Sequence, residues 1–225
     1  MPVIRFKKIK VEYLIGIAQG HEATPNLYYS PNWGIRFVFW QRLKTIFDLL
    51  KKRADKSGRC LDFGGGGGVF LPSLAALFNS VVIADLETKE AKRIVADFDL
   101  DNVSIETCDL LQERDRLGQF EAIVAADVLE HFQELDIVLP GLLSLLKPNG
   151  LLVTSLPTEN YVYRFLRFVF NQEKPHDHYH SAYQVEQALI NIGLEPIDRV
   201  WLPLQIRVFP LFRITAWRVT QKKYT

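Results

Sequence analysis

Residues 60–70 read Cys60-Leu61-Asp62-Phe63-Gly64-Gly65-Gly66-Gly67-Gly68-Val69-Phe70. An apolar run closes on Asp62, five glycines follow, and an apolar pattern resumes at Val69. Ser57-Gly58 just upstream is a turn signal, so Arg59 to Phe63 is expected to form a short buried strand. Downstream, Leu71, Leu74, Ala75, Leu77 and Phe78 recur at helical spacing. Pro72 suits the first turn of that helix, where its missing N–H has no intrahelical partner to lose. Strand, glycine loop and helix start together make a nucleotide-type site. Glycines let the backbone adopt positive φ and place no Cβ between chain and ligand, and the helix start offers free N–H groups.

Three tighter readings compete for the loop. A phosphate-gripping P-loop ends in Gly-Lys-Ser/Thr, but Gly68 is followed by Val69 and Phe70. A dinucleotide fingerprint needs G-x-G-x-x-G, whereas Gly64, Gly66 and Gly68 give G-x-G-x-G, with five consecutive glycines blurring the spacing. Asp62 favours the third reading. A carboxylate two positions before the first glycine faces a pyrophosphate badly and an ammonium well. S-adenosylmethionine carries an ammonium and a sulfonium and no phosphate. Leu61 to Gly68 resembles the first motif of class I S-adenosylmethionine-dependent methyltransferases, a hydrophobic residue followed by L-D-x-G-x-G-x-G. The alternative is a glycine linker, which is rarely pinned between a buried strand and an apolar helix.

A chain of 225 residues, 48% hydrophobic, suits one α/β domain with additions. Residues 1–55 read as an N-terminal helical cap and 157–182 as a lid-like insertion. A net charge of +1 argues against a dedicated nucleic-acid binder. Cys60 and Cys108 read as buried thiols of a reducing compartment rather than a disulfide framework. Lysines interrupt the N-terminal apolar stretch, so no signal peptide is expected. No run approaches the roughly 20 apolar residues of a membrane span.

Within the cap, Val11 to Gly20 suits either a strand or a short helix, and His21 to Gly34 is turn-rich and aromatic. Ile35 to Arg53 is an amphipathic helix with a basic, solvated last turn, as the helix dipole favours. Val81 to Asp85 is the second strand, with Asp85 at its carboxyl end. In doubly wound sheets ligands bind at that edge. A carboxylate there can accept both ribose hydroxyls, with Leu86 beside it; Glu87 is a rival, and a helix cap is the structural alternative. The third strand, Val103 to Thr107, runs into Cys108-Asp109-Leu110. The resemblance assigns Asp109 to the adenine amino group and the Leu110 N–H to the ring, against the plain reading of Asp109 as a turn residue.

Phe120 to Ala125 is the fourth strand and leads into Ala126-Asp127-Val128-Leu129-Glu130-His131. This resembles the family's FDxVxxxxVLEH segment, with Glu121 in place of the usual aspartate. Asp127 and Glu130 have capping-box spacing and are read mainly as starting a helix. Small Ala125 and Ala126 would let the methionine part of the cofactor pass. The resemblance sets His131 beside the transferred methyl. A helix over Ile137 to Lys147, the turn Pro148-Asn149-Gly150 and a fifth strand, Leu151 to Leu156, complete the pattern. The resemblance spans Arg59 to Leu156. It implies a doubly wound, Rossmann-like, seven-stranded sheet, mostly parallel with an antiparallel C-terminal strand.

Tyr161 to Phe170 is aromatic and has three readings: a lid over an apolar acceptor, a core helix, or an interfacial membrane helix. With residues near Tyr28 to Trp33, it is expected to form much of the acceptor pocket. His176, His178 and His180 alternate and would share one face of an extended segment. Metal binding by that face is the minor reading; no cysteine joins the histidines, and no metal is expected. Ser181 and Gln184 form a capping box for a helix over Tyr183 to Ile192, which Gly193 ends. Pro196 to Leu204 and Arg213 to Thr220 suit a terminal antiparallel hairpin. The implied activity is transfer of a methyl group from S-adenosylmethionine to a small hydrophobic or aromatic acceptor. His131 is the candidate base, with His176, His178 and His180 as rivals. A cytoplasmic or membrane-peripheral location fits, and the alternative is a non-catalytic S-adenosylmethionine or nucleoside binder of the same fold.

Overall fold

Alternation along the central strands produces a three-layer sandwich. In strand β1 (Arg59–Phe63), Cys60 faces one side of the sheet, and Leu61 and Phe63 face the other. Neighbouring strands repeat the split: Val81 and Ile83 against Val82 and Ala84, then Val124 and Val153 against Ile123 and Leu152. Strands buried on both faces read as continuous apolar runs, which is why the parallel strands were visible in the sequence. The computed structural model describes residues 4–18, 24–109, 116–158, 178–203 and 210–220. Leu110, Tyr161 to Phe170 and His176 therefore lie outside the described residues.

The remaining elements follow in chain order. Helices α1 (Val11–Ile17) and α2 (Trp33–Arg53) precede β1. Helix α3 (Leu71–Leu77), strand β2 (Ser80–Asp85), helix α4 (Lys89–Asp97) and strand β3 (Val103–Thr107) come next. Strand β4 (Phe120–Ala126), helix α5 (Leu135–Ser144) and strand β5 (Leu146–Pro157) follow. Helix α6 (Ala182–Asn191), strand β6 (Leu194–Leu202) and strand β7 (Phe212–Val219) close the described chain. The seven strands lie in the order β3-β2-β1-β4-β5-β7-β6, with β7 antiparallel to both neighbours. The chain leaves β1 toward β2 on one side and returns to β4 on the other. The carboxyl ends of β1 and β4 thus flank the topological switch point, where doubly wound sheets bind ligands.

Helix α2 starts where Asn32 caps it, accepting from the N–H groups of Gly34 (2.9 Å) and Ile35 (3.3 Å). It buries Trp40, Leu43, Ile46, Phe47, Leu49 and Leu50 on the face shared with α3 and α4. Each such large side chain contributes roughly 1.5–3 kcal/mol of burial. Its basic end is exposed, with Lys52 and Arg53 both pairing to Asp198 of β6 (3.0 and 3.1 Å). Such pairs contribute little stability. Helices α5 and α6 cover the opposite face through Val138, Leu139, Leu142, Val185 and Leu189. The capping box of Ser181 and Gln184 is present as the spacing predicts.

Two expectations need correction. The helix after β4 does not start at Asp127. A single 3-10 turn, Leu129–His131, comes first, and α5 begins at Leu135. Asp127, at φ 54°, lies one residue before Val128, which precedes that turn without a side-chain cap, and the Asp127 carboxylate is taken by Arg42. The stretch Lys147-Pro148-Asn149-Gly150 is not a separate turn before β5. It lies within β5 as a bulge, where the register on β4 jumps from Phe120–Leu146 to Ala122–Leu151.

Candidate active site at the carboxyl edge of the sheet

The glycine loop leaves β1 with the Gly64 N–H donating to the Ala84 carbonyl of β2 (2.9 Å). Gly64, Gly66 and Gly68 all have positive φ. Gly66, at φ 53°, turns its N–H onto Asp85 Oδ2 (2.8 Å), a backbone aim that side chains disfavour. At Gly67 a Cβ would run into the hydroxyl of Thr24, a buried residue from the N-terminal segment. Thr24 thus lies directly on the loop.

Asp85 ends β2 at the predicted place, but its carboxylate is not idle. Besides the Gly66 N–H it accepts from the Glu87 N–H on Oδ1 (3.1 Å). Each oxygen retains a second lone pair for a ligand hydroxyl. Leu86 follows, 75% exposed, and Glu87 points to solvent. The Thr88 hydroxyl meets the Thr107 hydroxyl, and the Cys108 N–H donates to the Asp85 carbonyl (3.2 Å). These two links bring half-buried Asp109 to the same edge as Asp85.

Asp62 is 3% exposed, and its Oδ2 has no hydrogen-bond partner among the described residues. Burial, and then the charge of Asp85, pushes its carboxyl up to about 7. A desolvated carboxylate is costly without an opposite charge. This one therefore suits a cationic ligand group placed over the loop.

Ala126, half-buried, ends β4. Asp127 then takes its left-handed conformation, with its N–H on the Ser155 carbonyl (2.9 Å). Its carboxylate pairs with the guanidinium of Arg42 on α2. Arg42 is buried, also donates to the Tyr28 hydroxyl, and lies about 5 Å from the ring centroids of Phe39 and Phe212. Burial alone would lower the Arg42 guanidinium, but Asp127 and the Tyr28 hydroxyl together outweigh it and keep the group charged. Sequence reasoning missed Arg42. The signal was a lone cation between Phe39 and Leu43 on the apolar stripe of α2. Tyr28, expected near the acceptor, is instead buried in the core against Trp40 and Arg42.

Past Asp127, the 3-10 turn carries Glu130 inward and leaves His131 half-buried. Of the three alternating histidines, His178 meets His131 edge to face, with ring centroids 4.6 Å apart. His180 does not join them; its Nε2 is 3.0 Å from the Gln133 carbonyl oxygen.

Comparison with known proteins agrees with this geometry. Residues 35–198 match the family described as "Methyltransferase domain". Over 104 residues, 46% of this chain, the sequence is 29% identical to a ubiquinone biosynthesis O-methyltransferase from Bradyrhizobium diazoefficiens. The match spans only 41% of that protein's length. The N-methyltransferase NodS from Bradyrhizobium japonicum WM9, solved with S-adenosyl-L-homocysteine, shares the fold at TM-score 0.66 and 17% identity. That likeness covers 95% of this chain and 100% of NodS. Magnesium protoporphyrin IX methyltransferase from Synechocystis PCC 6803 does so at TM-score 0.69 and 19% identity, covering 93% and 97% of the two chains.

Replacing Arg42 by Ala strands the Asp127 carboxylate beside an apolar wall. Breaking such a buried pair costs about 3–5 kcal/mol, and the partial exposure of Asp127 places this one at the lower end. Urea unfolding should show a lower midpoint at unchanged slope. A loss under about 1 kcal/mol would mean the pair is not structural.

Proposed function

We propose that this chain, which belongs to the methyltransferase-domain family, is an S-adenosylmethionine-dependent methyltransferase acting on a small hydrophobic or aromatic acceptor. The observation that carries the reading is the unsatisfied, buried Asp62 carboxylate beside a glycine loop at the sheet's switch point. Phosphate-bearing cofactors would meet two carboxylates there, whereas an ammonium meets complementary charge. Asp62, Gly64, Gly66 and Gly68 are assigned to the methionine end of the donor. Asp85 takes the ribose with Leu86 beside it. Asp109 takes the adenine together with Leu110, which lies outside the described residues, and Ala126 gives clearance for the chain of the donor.

The donor supplies a methyl group on a sulfonium, already attached to a good leaving group. The protein need only align the acceptor and keep competing water away, and positioning can supply much of the rate. Helix α2 runs past the sheet's carboxyl edge, because Arg42 meets Asp127 there while Arg53 lies near β6. Nine residues further toward its start, Trp33 stands about 13 Å beyond Arg42. Trp33 is 74% exposed and Phe37 54%, and their rings meet edge to face. That apolar pair above the site supports an apolar acceptor. The relative's name, an O-methyltransferase of ubiquinone biosynthesis, agrees with an acceptor oxygen. A hydroxyl acceptor must lose a proton, and His131, at the end of the β4 turn, is assigned to receive it.

Methyl-labelled S-adenosylmethionine incubated with a cell extract should transfer label to a small, organic-extractable product. Label remaining wholly in the donor across acceptor classes would contradict catalysis. His131→Ala should lower kcat by about 10²–10⁴-fold with donor affinity retained. Full turnover would remove His131 from proton transfer.

The Asp62 carboxyl also sets a pH dependence. Below about 7 it is protonated and cannot meet the ammonium. Donor affinity should fall by up to about tenfold per pH unit below that point and level off above it. Calorimetry between about pH 5.5 and 7.5, where an α-amine stays charged, reads this. A wild-type profile as flat as that of Asp62→Asn would contradict the contact.

A further inference from the structure

Beyond the donor site the fold gathers Glu130, His131 and His178. One oxygen of Glu130 and one ring nitrogen of each histidine lie within 4.8 Å of one another. Glu130 is 1% exposed and the two imidazoles are half-buried. The residues come from two segments clamped together. The Tyr179 N–H donates to the Glu130 carbonyl (2.9 Å), and His180 reaches the Gln133 carbonyl. His178 is thereby delivered to the turn carrying the other two groups, with its ring at 85° to that of His131.

Two imidazoles and one carboxylate are a recognised donor set for divalent first-row ions, with coordination positions left open. Tetrahedral bonds of about 2.1 Å place donors about 3.4 Å apart, so the cluster must contract by little more than about 1 Å. Half-buried imidazoles on a turn can do this by rotation. A buried carboxylate gains from a cation, and Asp127, three residues before Glu130, interacts electrostatically with both imidazoles. We propose that Glu130, His131 and His178 bind a divalent transition-metal cation, which takes a hydroxyl oxygen of the methyl acceptor as a further ligand.

Ion binding stands on the cluster alone; the acceptor's part rests on the methyltransferase reading. A coordinated hydroxyl is more acidic. Its proton passes to water, its oxygen forms the bond to the methyl carbon, and the carbon–sulfur bond breaks with both electrons left on sulfur. In that case His131 acts through the ion and not as a free base, and the acceptor class narrows to hydroxyl-bearing molecules.

The test uses the full chain, stripped with EDTA and titrated with ZnCl2 by calorimetry and with Co2+ by visible absorption. One ion per chain at about micromolar affinity or tighter is expected, with Co2+ bands of a low-coordinate site. His178→Ala and Glu130→Gln should each weaken binding at least about tenfold, with thermal melts checking the fold and S-adenosylmethionine affinity unchanged. A folded wild-type chain that binds no stoichiometric ion, or a His178→Ala chain that binds it as tightly, overturns the site. Because donor and acceptor are absent from the titration, that failure would leave the methyl-transfer reading standing. An ion bound as expected by a chain that transfers no methyl group would count against the acceptor's part.

Discussion

The buried pair between Arg42 and Asp127 holds the two halves of the site in one frame. Arg42 belongs to α2, the helix that carries the exposed aromatic residues Trp33 and Phe37. Asp127 belongs to the β4 exit, the segment that aims Glu130 and His131. With Asp127 in a left-handed conformation, the chain cannot run straight from β4 into a helix. The 3-10 turn that results presents Glu130 inward and His131 toward His178. The guanidinium is enclosed by Phe39, Phe212 and the Tyr28 hydroxyl, so solvent does little to screen the attraction.

A second electrostatic constraint governs the donor side. Asp62 and Asp85 repel each other across the glycine loop, and among the described residues backbone N–H donors compensate Asp85 but leave Asp62 Oδ2 without a partner. The loop glycines serve that compensation, since Gly66 reaches Asp85 only at positive φ. Asp62 is left as the unsatisfied member, and a cation in the site relieves both its burial and its repulsion. The same arrangement places two carboxylates where a phosphate would have to sit. The proposed preference for a cationic donor therefore rests on two carboxylates and one loop, not on the fold as a whole.

The parallel core was legible because its central strands are continuous apolar runs and its loops carry strong turn residues. Asp62, the glycines and Asp85 were legible for the same reason, since each stands at the end of an unmistakable strand. The terminal antiparallel strand was placed by the family resemblance, since the alternation of Arg213 to Thr220 by itself indicates only a half-buried strand. What could not be read were contacts between distant segments. Asp127 and Glu130 have capping-box spacing, but a cation 85 residues upstream takes the Asp127 carboxylate. The alternating histidines suggested a shared face. In the fold His178 turns toward His131, while His180 fastens to a loop carbonyl. Local pattern reports periodicity and caps, whereas tertiary partners override it wherever a buried charge must be matched.

The central claim is that the carboxylates around the glycine loop select S-adenosylmethionine. Calorimetric titration of the folded chain and of Asp85→Ala with S-adenosylmethionine, and with NAD as control, tests it most directly. The account predicts one donor molecule per wild-type chain, no heat with NAD, and a loss of roughly 1.5–3 kcal/mol of donor binding in the variant. Equal donor affinity in wild type and a folded Asp85→Ala protein, or tight binding of NAD, would contradict it.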